Sequence, residues 1–288
     1  MRINNTRIFQ SLFLVSILLL VGCSSAKSEN EDYLIEIKTP MGDMKAILFE
    51  ETPLHKANFI KLVEEGKYDN TLWHRVIEGF MIQGGDVYGG NREPEGSRIP
   101  AEIVEGLYHV KGAIAAARQG NQINPEKKSS SCQFYIVHGE PYEVLTTDLY
   151  QLNNAFGELV NSDPERFNDL IFKYQEAVTN NGQRGGINFI LSQREFIESE
   201  TNRDFGFALT PNQEKAYKEA GFGTNSLDGE YTVFGKVVEG LAVIDKIAKV
   251  PTGNANKPLE DIDMTISLKT VPKSEITEKY GYSYSKPL

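Results

Sequence analysis

The chain has 288 residues, with 30 lysines and arginines against 40 aspartates and glutamates, so its formal net charge at pH 7 is −10. This acidic balance excludes the basic surface by which proteins bind nucleic acid, and it also argues against a polybasic membrane-binding surface. The length leaves room for one large domain or two small ones.

The first residues of the chain have the pattern of an export signal. Two arginines precede an apolar run at residues 8–21, which is too short to be expected to span a membrane as a helix. The run ends on the letters LVGC at residues 20–23, is followed at once by two serines, and is similar to the lipobox of bacterial lipoproteins. This resemblance implies a signal peptide at residues 1–22 and a lipid on the Cys23 thiol. An ordinary secretory signal with a coincidental cysteine is the alternative.

A lipid on Cys23 has consequences for the rest of the chain. Residues 23–32 are polar, and we interpret them as a short tether to the lipid anchor. With Cys23 acylated, Cys132 has no intramolecular partner for a disulfide. By resemblance to the sorting rules of double-membrane bacteria, Ser24 favours the outer membrane. We therefore expect a lipid-anchored protein of the cell envelope on the periplasmic side, with exposure at the cell surface left open.

Short alternating runs dominate the sequence after the tether. Residues 33–38 and 44–49 alternate apolar and polar side chains around a connection with Pro and Gly, which predicts a β-hairpin. Thr52 and Pro53 are typical of a helix start, and Gly66 ends the apolar stripe that follows. Further strands are predicted at residues 72–77, 80–83, 113–117, 133–137, 231–238 and 262–268, and a helix at residues 240–248. This spacing indicates a closed or nearly closed barrel capped by helices.

Helix-forming sequence replaces the short strands at residues 142–221. Ser162 begins one capping box and Thr210 begins a second, each close to an amphipathic stretch of helical period. Residues 180–186 are rich in Asn and Gly and predict a loop between helices.

The strand pattern resumes directly after this segment. We therefore predict a discontinuous β domain at residues 33–141 and 222–270, interrupted by a helical insertion at residues 142–221. Residues 271–288 have no apolar period, so we expect a mobile C-terminal tail apart from its tyrosines.

Three stretches carry a pattern specific enough to suggest a family. They read WHRVIEGFMIQGGD at residues 73–86, CQFYI at residues 132–136 and LDGEYTVFGKV at residues 227–237. Together and in this order they resemble the cyclophilin family of peptidyl-prolyl cis-trans isomerases, over residues 33–140 and 224–268 but not over the insertion. The resemblance implies a mainly β fold, an eight-stranded closed antiparallel barrel capped by helices, with the site on its outer surface.

The resemblance also implies a reaction and its residues. The reaction is rotation about the peptide bond before proline, which resists rotation by ~18–20 kcal/mol because of its partial double-bond character. Arg75 and Gln83 would be catalytic, with the Arg75 guanidinium donating to the prolyl nitrogen once the amide is twisted. The residues that would contact the bound polypeptide are Phe80, Met81, Ala117, Arg118, Gln133, Tyr135, Leu227 and Tyr231.

Several positions depart from the usual family pattern. Arg118 stands where most members have Asn, and its side chain could crowd or recharge the groove. Tyr231 replaces a His, Ser226 replaces a Trp, and Tyr135 replaces a Phe and adds a hydroxyl to an otherwise apolar pocket. These changes favour altered substrate preference over loss of activity.

The sequence indicates no metal site and no cofactor. The histidines at positions 55, 74, 109 and 138 lack the spacing of metal ligands, and no predicted helix follows the glycine-rich residues 84–90 to receive a phosphate. The expected partners are proline-containing unfolded or exported polypeptides and, through the lipid, a membrane. Nothing demands an oligomer, so we expect a monomer.

Two questions stay open at the level of sequence. The first is whether the protein is an enzyme. One alternative is a cyclophilin-like module or chaperone that binds polypeptides without turnover. Another is a surface interaction protein that works through its insertion. Arg118 and the insertion motivate the first alternative, whereas the otherwise intact set of site residues favours the enzyme. The second is the insertion, whose ends lie between Tyr135 and Leu227. It either overhangs the site and selects polypeptides or packs elsewhere on the barrel.

Overall fold

A computed structural model describes residues 28–90 and 92–284, and the predicted signal peptide, Cys23 and residues 285–288 lie outside these ranges. The strands are β1 (Glu31–Thr39), β2 (Gly42–Leu48), β3 (Thr71–Leu72), β4 (Arg75–Ile77), β5 (Met81–Gly84), β6 (Ala113–Ala116), β7 (Phe134–Val137), β8 (Glu140–Pro141), β9 (Phe222–Gly223), β10 (Val233–Glu239) and β11 (Asp263–Pro272). The helices are α1 (Pro53–Glu64), α2 (Tyr142–Leu145), α3 (Leu149–Ser162), α4 (Asn168–Ser192), α5 (Arg194–Thr201), α6 (Pro211–Ala220), α7 (Leu241–Ala248) and α8 (Lys273–Tyr280). Among these described helices, none is long and apolar enough to cross a membrane.

The main sheet is antiparallel and curled. Within the described residues, nine strands pair in the order β3-β11-β1-β2-β10-β6-β7-β5-β4, which confirms the predicted antiparallel β architecture. The two end strands, β3 and β4, are separated along the chain only by Trp73 and His74, so the two edges of the sheet lie close to each other. The predicted hairpin is formed by β1 and β2, with Thr39 opposite Gly42.

The predicted closed barrel of eight strands is not confirmed, because the hydrogen-bonded order of the described strands has two ends. The difference arises at residues 72–77, which we predicted as one strand. There β3 pairs with β11 while β4 pairs with β5, and the Trp73 N–H donates to the Ile262 carbonyl at 2.9 Å. The Trp73 ring is buried in the core at this break. Burial of this large ring therefore accompanies the division of the predicted strand.

The two faces of the sheet carry different clusters of buried side chains. Along β1, Ile35 and Ile37 belong to the interior cluster with α1 and α7, whereas Leu34 belongs to the cluster on the other face. This is the two-residue period of a strand. The second cluster also contains Met81 and Tyr135, two of the predicted site residues. The face of the sheet opposite the main core therefore carries the candidate site.

Helix α1 begins where Thr52 and Pro53 predict it, but another residue supplies the cap. Among the described residues, Thr52 makes no side-chain capping bond. The carboxylate of Glu102 instead accepts the backbone N–H groups of Leu54 and His55, each at 3.0 Å. A carboxylate at this end satisfies free N–H groups and interacts favourably with the helix dipole. A residue distant in sequence therefore caps the helix.

The helical segment between β8 and β9 has a core of its own. At its base β8 pairs with β9, with Glu140 opposite Gly223. The capping box predicted at Thr210 is confirmed, because the Thr210 hydroxyl accepts the Gln213 N–H while the Gln213 side chain accepts the Thr210 N–H. The buried residues of this separate core are Leu152, Ala155, Phe156, Leu159, Phe167, Ile190, Ile197 and Phe205.

Two local predictions in this segment are wrong. Ser162, predicted to cap a helix, is the last residue of α3, and its hydroxyl donates to the Leu159 carbonyl at 2.7 Å. The loop predicted at residues 180–186 is a kink in α4, where Asn181 and Gly182 leave helical angles before the helix continues. Gly182 has φ +60°, a conformation that glycine adopts without steric cost. The Asn and Gly residues therefore produce a local break instead of a loop.

Residues near both ends of the described chain are part of the sheet or pack against it. Glu31 and Asp32, expected in the tether, are the first residues of β1. Residues 271–284 do not form the tail that the sequence predicts. Strand β11 extends to Pro272, and α8 follows with Ile276 fully buried. The hydroxyls of Tyr280, Tyr282 and Tyr284 donate to the carboxylates of Glu239, Glu51 and Asp32, respectively. These long-range anchors leave no periodic signal in the sequence.

The main core generates a prediction about stability. Phe134 is 1% exposed and makes edge-on contacts with Phe59, Tyr68 and Trp73, at ring centroid distances of 5.4, 5.6 and 5.6 Å. Phe134→Ala removes these contacts and leaves a cavity, so we expect the free energy of unfolding to fall by about 3–5 kcal/mol in urea titrations. The control is Phe172→Ala, because Phe172 is 64% exposed. Equal destabilisation by both changes would contradict this description of the core.

Candidate active site

The ten predicted catalytic and substrate-binding residues, all within the described ranges, come together in the structure. Nine of them line one cavity of about 200 Å³: Arg75, Phe80, Met81, Gln83, Ala117, Arg118, Tyr135, Leu227 and Tyr231. We call this cavity the proline pocket, after the proline ring that the family resemblance predicts it to hold. The tenth, Gln133, borders an adjoining cavity and accepts a hydrogen bond from Gln83 at 3.0 Å.

Strand register explains how the pocket forms. Arg75 on β4 lies opposite Gln83 on β5, and Gln83 lies opposite Tyr135 on β7. Side chains directly opposite each other in an antiparallel sheet point to the same face, so these three side chains form one row. Met81 is two residues from Gln83 and shares that face. The row lies on the side of the sheet away from the main core.

The polar edge of the pocket is a chain of hydrogen bonds. Arg75 Nη1 donates to Gln83 Oε1 at 3.3 Å, and Gln83 Nε2 donates to Gln133 Oε1 at 3.0 Å. Because a guanidinium only donates, the Gln83 amide must present its oxygen to Arg75 and its nitrogen to Gln133. The guanidinium has several N–H donors, so one bond to Gln83 leaves others for a bound peptide.

A smaller polar cavity adjoins the pocket. It has a volume of about 130 Å³ and shares Gln83, Ala117 and Arg118 with the proline pocket. Its remaining lining residues are Gly90, Glu93, Arg98, Gln119, Lys128, Ser130 and Gln133. This side of the proline pocket is therefore bordered mainly by polar and charged groups.

Comparison with known proteins now bears on this geometry. A family model described as cyclophilin type peptidyl-prolyl cis-trans isomerase/CLD matches residues 34–180 and 178–268. The chain belongs to this family. It is 30% identical over 234 residues to a putative bifunctional phosphatase/peptidyl-prolyl cis-trans isomerase of Streptococcus pyogenes, covering 79% of this chain and 37% of that protein. It is 27% identical over 253 residues to a putative peptidyl-prolyl cis-trans isomerase of Staphylococcus saprophyticus, covering 86% and 93%.

These similarities differ in extent. A peptidyl-prolyl cis-trans isomerase of Arabidopsis thaliana is 35% identical over 111 residues, covering 37% of this chain and 66% of that protein. The chain thus spans 37% of the streptococcal relative and 66% of the plant relative. Among solved structures, a cyclophilin type isomerase of Cryptosporidium parvum aligns with 84% of this chain at 21% identity and a TM-score of 0.49.

Arg118, where most cyclophilins have Asn, carries its charge in an ion pair. Its guanidinium lies over the Tyr231 ring, 4.4 Å from the centroid, while Nε donates to the Glu230 carbonyl at 2.8 Å and Nη2 to the Glu230 carboxylate at 2.9 Å. Lys127 also donates to this carboxylate at 2.9 Å, and hydrogen bonding to Lys127 together with the nearby Arg118 lowers the Glu230 pKa. The Arg118 side chain is only 4% exposed. It lines the pocket with its charge balanced by Glu230, and its predicted contact with a bound polypeptide stays a prediction.

The hydroxyl of Tyr135 is bonded behind the pocket. The His109 ring, fully buried, has Nε2 3.0 Å from the Tyr135 hydroxyl and Nδ1 2.9 Å from Asp228 Oδ1. Because a carboxylate only accepts hydrogen bonds, Nδ1 carries the ring proton. In the neutral ring, Nε2 then accepts a hydrogen bond from the Tyr135 hydroxyl. Burial raises the pKa of Tyr135 well above its ordinary value, so it stays a donor. The extra hydroxyl therefore bonds to His109 while the ring lines the pocket.

Asp228 connects this histidine to the insertion. From the described residues its carboxylate accepts four hydrogen bonds, two from the His109 ring and backbone at 2.9 Å, one from Gln213 at 2.9 Å and one from Tyr217 at 2.8 Å. Burial by itself raises the Asp228 pKa, but these bonds outweigh it and the pKa lies below its ordinary value. Burial and the neighbouring Asp228 raise the pKa of Tyr217. Helix α6 of the insertion is thereby tied to the residues behind the proline pocket.

Sequence reasoning missed the residues that support the pocket. The sequence pattern gives His109 neither the spacing of a metal ligand nor another role, and Asp228 lies in a recognised stretch without an assigned role. Tyr217 and Gln213 belong to the predicted insertion helix, yet their bonds to Asp228 were not expected. Asp228 directly follows the pocket residue Leu227, which is the one available signal. Its separation of 119 residues from His109 carries no recognisable pattern.

The buried Asp228 network generates a prediction about pH. Tyr217→Phe removes one hydrogen bond to Asp228, so we expect the free energy of unfolding at pH 7 to fall by about 1–2 kcal/mol. A depressed carboxylate pKa stabilises the fold above the unfolded pKa of about 4, and this contribution is lost as pH falls through the folded pKa. The difference in the free energy of unfolding between the wild type and Tyr217→Phe should therefore become smaller below about pH 4.

Urea titrations from pH 7 to pH 3 measure this difference. The matched control is Tyr142→Phe, because Tyr142 donates at 3.5 Å to Glu214 in an exposed pair. We expect little change from this control, since exposed pairs contribute little to stability. A Tyr217→Phe effect that stays constant with pH would contradict the assigned role of the Asp228 charge.

Proposed function

We propose that the chain is a peptidyl-prolyl cis-trans isomerase that acts on proline-containing polypeptides. The observation that carries the proposal is the position of Arg75 at the edge of a cavity lined by Phe80, Met81 and Leu227. The cavity volume of about 200 Å³ suits a proline ring with its flanking backbone. Isomerases among the relatives, including the staphylococcal protein that matches almost end to end, support the same function.

Catalysis requires that the site favour the twisted amide over both planar forms. In the planar amide the nitrogen lone pair is shared with the carbonyl, and in the twisted amide it becomes available to accept a hydrogen bond. A donor placed at this nitrogen therefore stabilises the transition state more than either ground state. We assign this donor to Arg75. The apolar side chains hold the proline ring while rotation takes place about the peptide bond that precedes it.

Gln83 has a positioning role in this scheme and also contacts substrate. It accepts a hydrogen bond from Arg75 and donates one to Gln133, so it orients both the Arg75 guanidinium and the Gln133 side-chain amide. Gln133 and Gln83 bond the substrate backbone beside the proline, which limits rotation to one part of the peptide. The pocket requires no metal and no cofactor for this reaction, because no covalent bond is formed or broken.

We propose that the natural substrates are unfolded or exported polypeptides and that the protein is anchored in the cell envelope by a lipid on Cys23. The LVGC letters at residues 20–23 after an apolar run support the anchor. Isomerisation before proline takes tens to hundreds of seconds without a catalyst, which is slow enough to limit the folding of a chain. We propose the periplasmic side of the outer membrane as the location and a monomer as the working form.

The proposed catalytic role of Arg75 can be tested directly. We expect Arg75→Ala to lower kcat/KM for isomerisation of a short Xaa-Pro peptide by about a hundredfold, as loss of a transition-state hydrogen-bond donor typically does. Circular dichroism should show an intact fold. The matched control is Arg166→Ala, because Arg166 is an exposed arginine that pairs with Glu200 in the insertion.

The wild-type rate decides between the enzyme and the binding module. If the wild type accelerates neither the peptide nor a refolding protein limited by proline, the isomerase is contradicted and a non-catalytic polypeptide-binding module is the better account. Equal losses in Arg75→Ala and Arg166→Ala would contradict the assignment of the pocket.

The proposed lipid anchor has a separate test. In a bacterium that processes lipoproteins, we expect a labelled fatty acid to be incorporated into the wild type and the protein to sediment with membranes. Cys23→Ser should abolish the label, because the thiol that carries the lipid is removed. Cys132→Ser is the control, since Cys132 is a buried thiol. Export without label in the wild type would favour the ordinary secretory signal.

A further inference from the structure

A larger cavity lies between the insertion and the turn that joins β4 to β5. Its volume is about 600 Å³, and we call it the insertion cavity. One wall is the turn itself, from Ile77 to Phe80, and the opposite wall comes from the insertion. The insertion contributes Val144, Leu145, Thr147, Asp148, Leu149 and Phe207, and the segment after β9 contributes Thr224, Asn225 and Ser226.

The insertion cavity continues the proline pocket. Phe80 lines both cavities. Ser226 lines the insertion cavity, while its neighbour Leu227 lines the proline pocket. On its other side the proline pocket shares Gln83 and Ala117 with the small polar cavity. A polypeptide with its proline in the pocket therefore meets polar groups in one direction and the insertion in the other.

Contacts on both walls hold the insertion cavity in place. Arg184 of α4 pairs with Glu140, and this pair covers Gly79, where an added side chain would collide with the Glu140 carboxylate. Asn225 Nδ2 donates to the Leu145 carbonyl at 3.4 Å. The Phe207 N–H donates to the Thr146 carbonyl at 2.8 Å, which fixes the Phe207 backbone beside α2. The cavity is therefore formed before a substrate arrives.

The lining indicates which side chains the cavity takes. Polar and apolar residues both line the cavity, but most of its exposed surface is apolar, and Phe207, one of the lining residues, is 52% exposed. Burying an exposed aromatic ring against an incoming apolar side chain is favourable, whereas Glu78 and Asp148 in the same lining repel a carboxylate. The net charge of −10 adds to that repulsion.

We propose that the insertion cavity is a specificity subsite that binds an apolar side chain of the substrate, a few residues from the proline, and disfavours an acidic one. This inference rests on the proposed function, because the bound polypeptide enters through the proline pocket. It assigns the insertion the role of selecting polypeptides by the sequence beside their proline. Phe207 is the residue of the insertion that makes the selective contact.

The test compares peptides that share one Xaa-Pro core. A short peptide fills only the proline pocket, and longer peptides carry Phe or Glu at successive positions on either side of the core. For the wild type we expect the best phenylalanine peptide to exceed its glutamate counterpart in kcat/KM by at least about fivefold. In Phe207→Ala we expect the advantage of this peptide over the short peptide to fall by about fivefold.

Phe172→Ala is the matched control, because Phe172 is an exposed phenylalanine of the insertion outside the cavity. We expect it to preserve the preference. Equal effects of Phe207→Ala on the long and short peptides, or the same loss of preference in Phe172→Ala, would overturn the subsite. Equal rates for phenylalanine and glutamate peptides in the wild type would also overturn it.

A binding measurement separates this inference from the proposed function. Fluorescence anisotropy of the same labelled peptides reports affinity without requiring catalysis. Peptide binding that depends on Phe207 in the absence of any isomerisation would contradict the enzyme and support the subsite. Isomerisation that depends on Arg75, with binding and rates independent of Phe207, would support the enzyme and overturn the subsite.

Discussion

The buried carboxylate of Asp228 joins the proline pocket to the insertion. It accepts hydrogen bonds from His109 on one side and from Gln213 and Tyr217 of the insertion on the other. His109 in turn bonds the hydroxyl of Tyr135, whose ring lines the pocket. A buried charge is tolerated only when its lone pairs are satisfied, so these partners must keep their places together. The position of the insertion and the shape of the pocket are thereby linked.

The two faces of the sheet carry the main core and the candidate site, respectively. Alternation along β1 and register across β4, β5 and β7 place large apolar residues in the interior and the pocket residues on the other side. Arg75 and Gln83 therefore lie on short strands whose backbones pair with neighbouring strands. A rigid frame suits isomerisation as we propose it, because the reaction needs a donor held at one point while a bond rotates. The insertion adds a wall beside this frame without interrupting its strands.

Sequence reasoning succeeded where the signal was local. The hairpin of β1 and β2 follows from alternation around a turn, and the capping box at Thr210 follows from residue types three positions apart. Fourteen consecutive letters from Trp73 to Asp86 resembled one family, and the pocket residues carried over from that resemblance line one cavity. Their individual roles stay predictions. Local signals failed at Ser162, where a capping pattern is also compatible with the end of a helix.

The periodicity of the sequence by itself determined most strands of the main sheet, and its contiguous motifs determined the family, because both are properties of neighbouring residues. The candidate residues of the pocket followed from the family resemblance. Only the tertiary structure decided the division of the predicted strand at Trp73, the cap that Glu102 supplies to α1 and the pairing of Arg118 with Glu230. It also decided that His109, Asp228 and Tyr217 form one network. Most of these contacts join residues that are far apart along the chain. Their partners are selected by burial and by the need to satisfy charges and hydrogen bonds, which sequence spacing does not record.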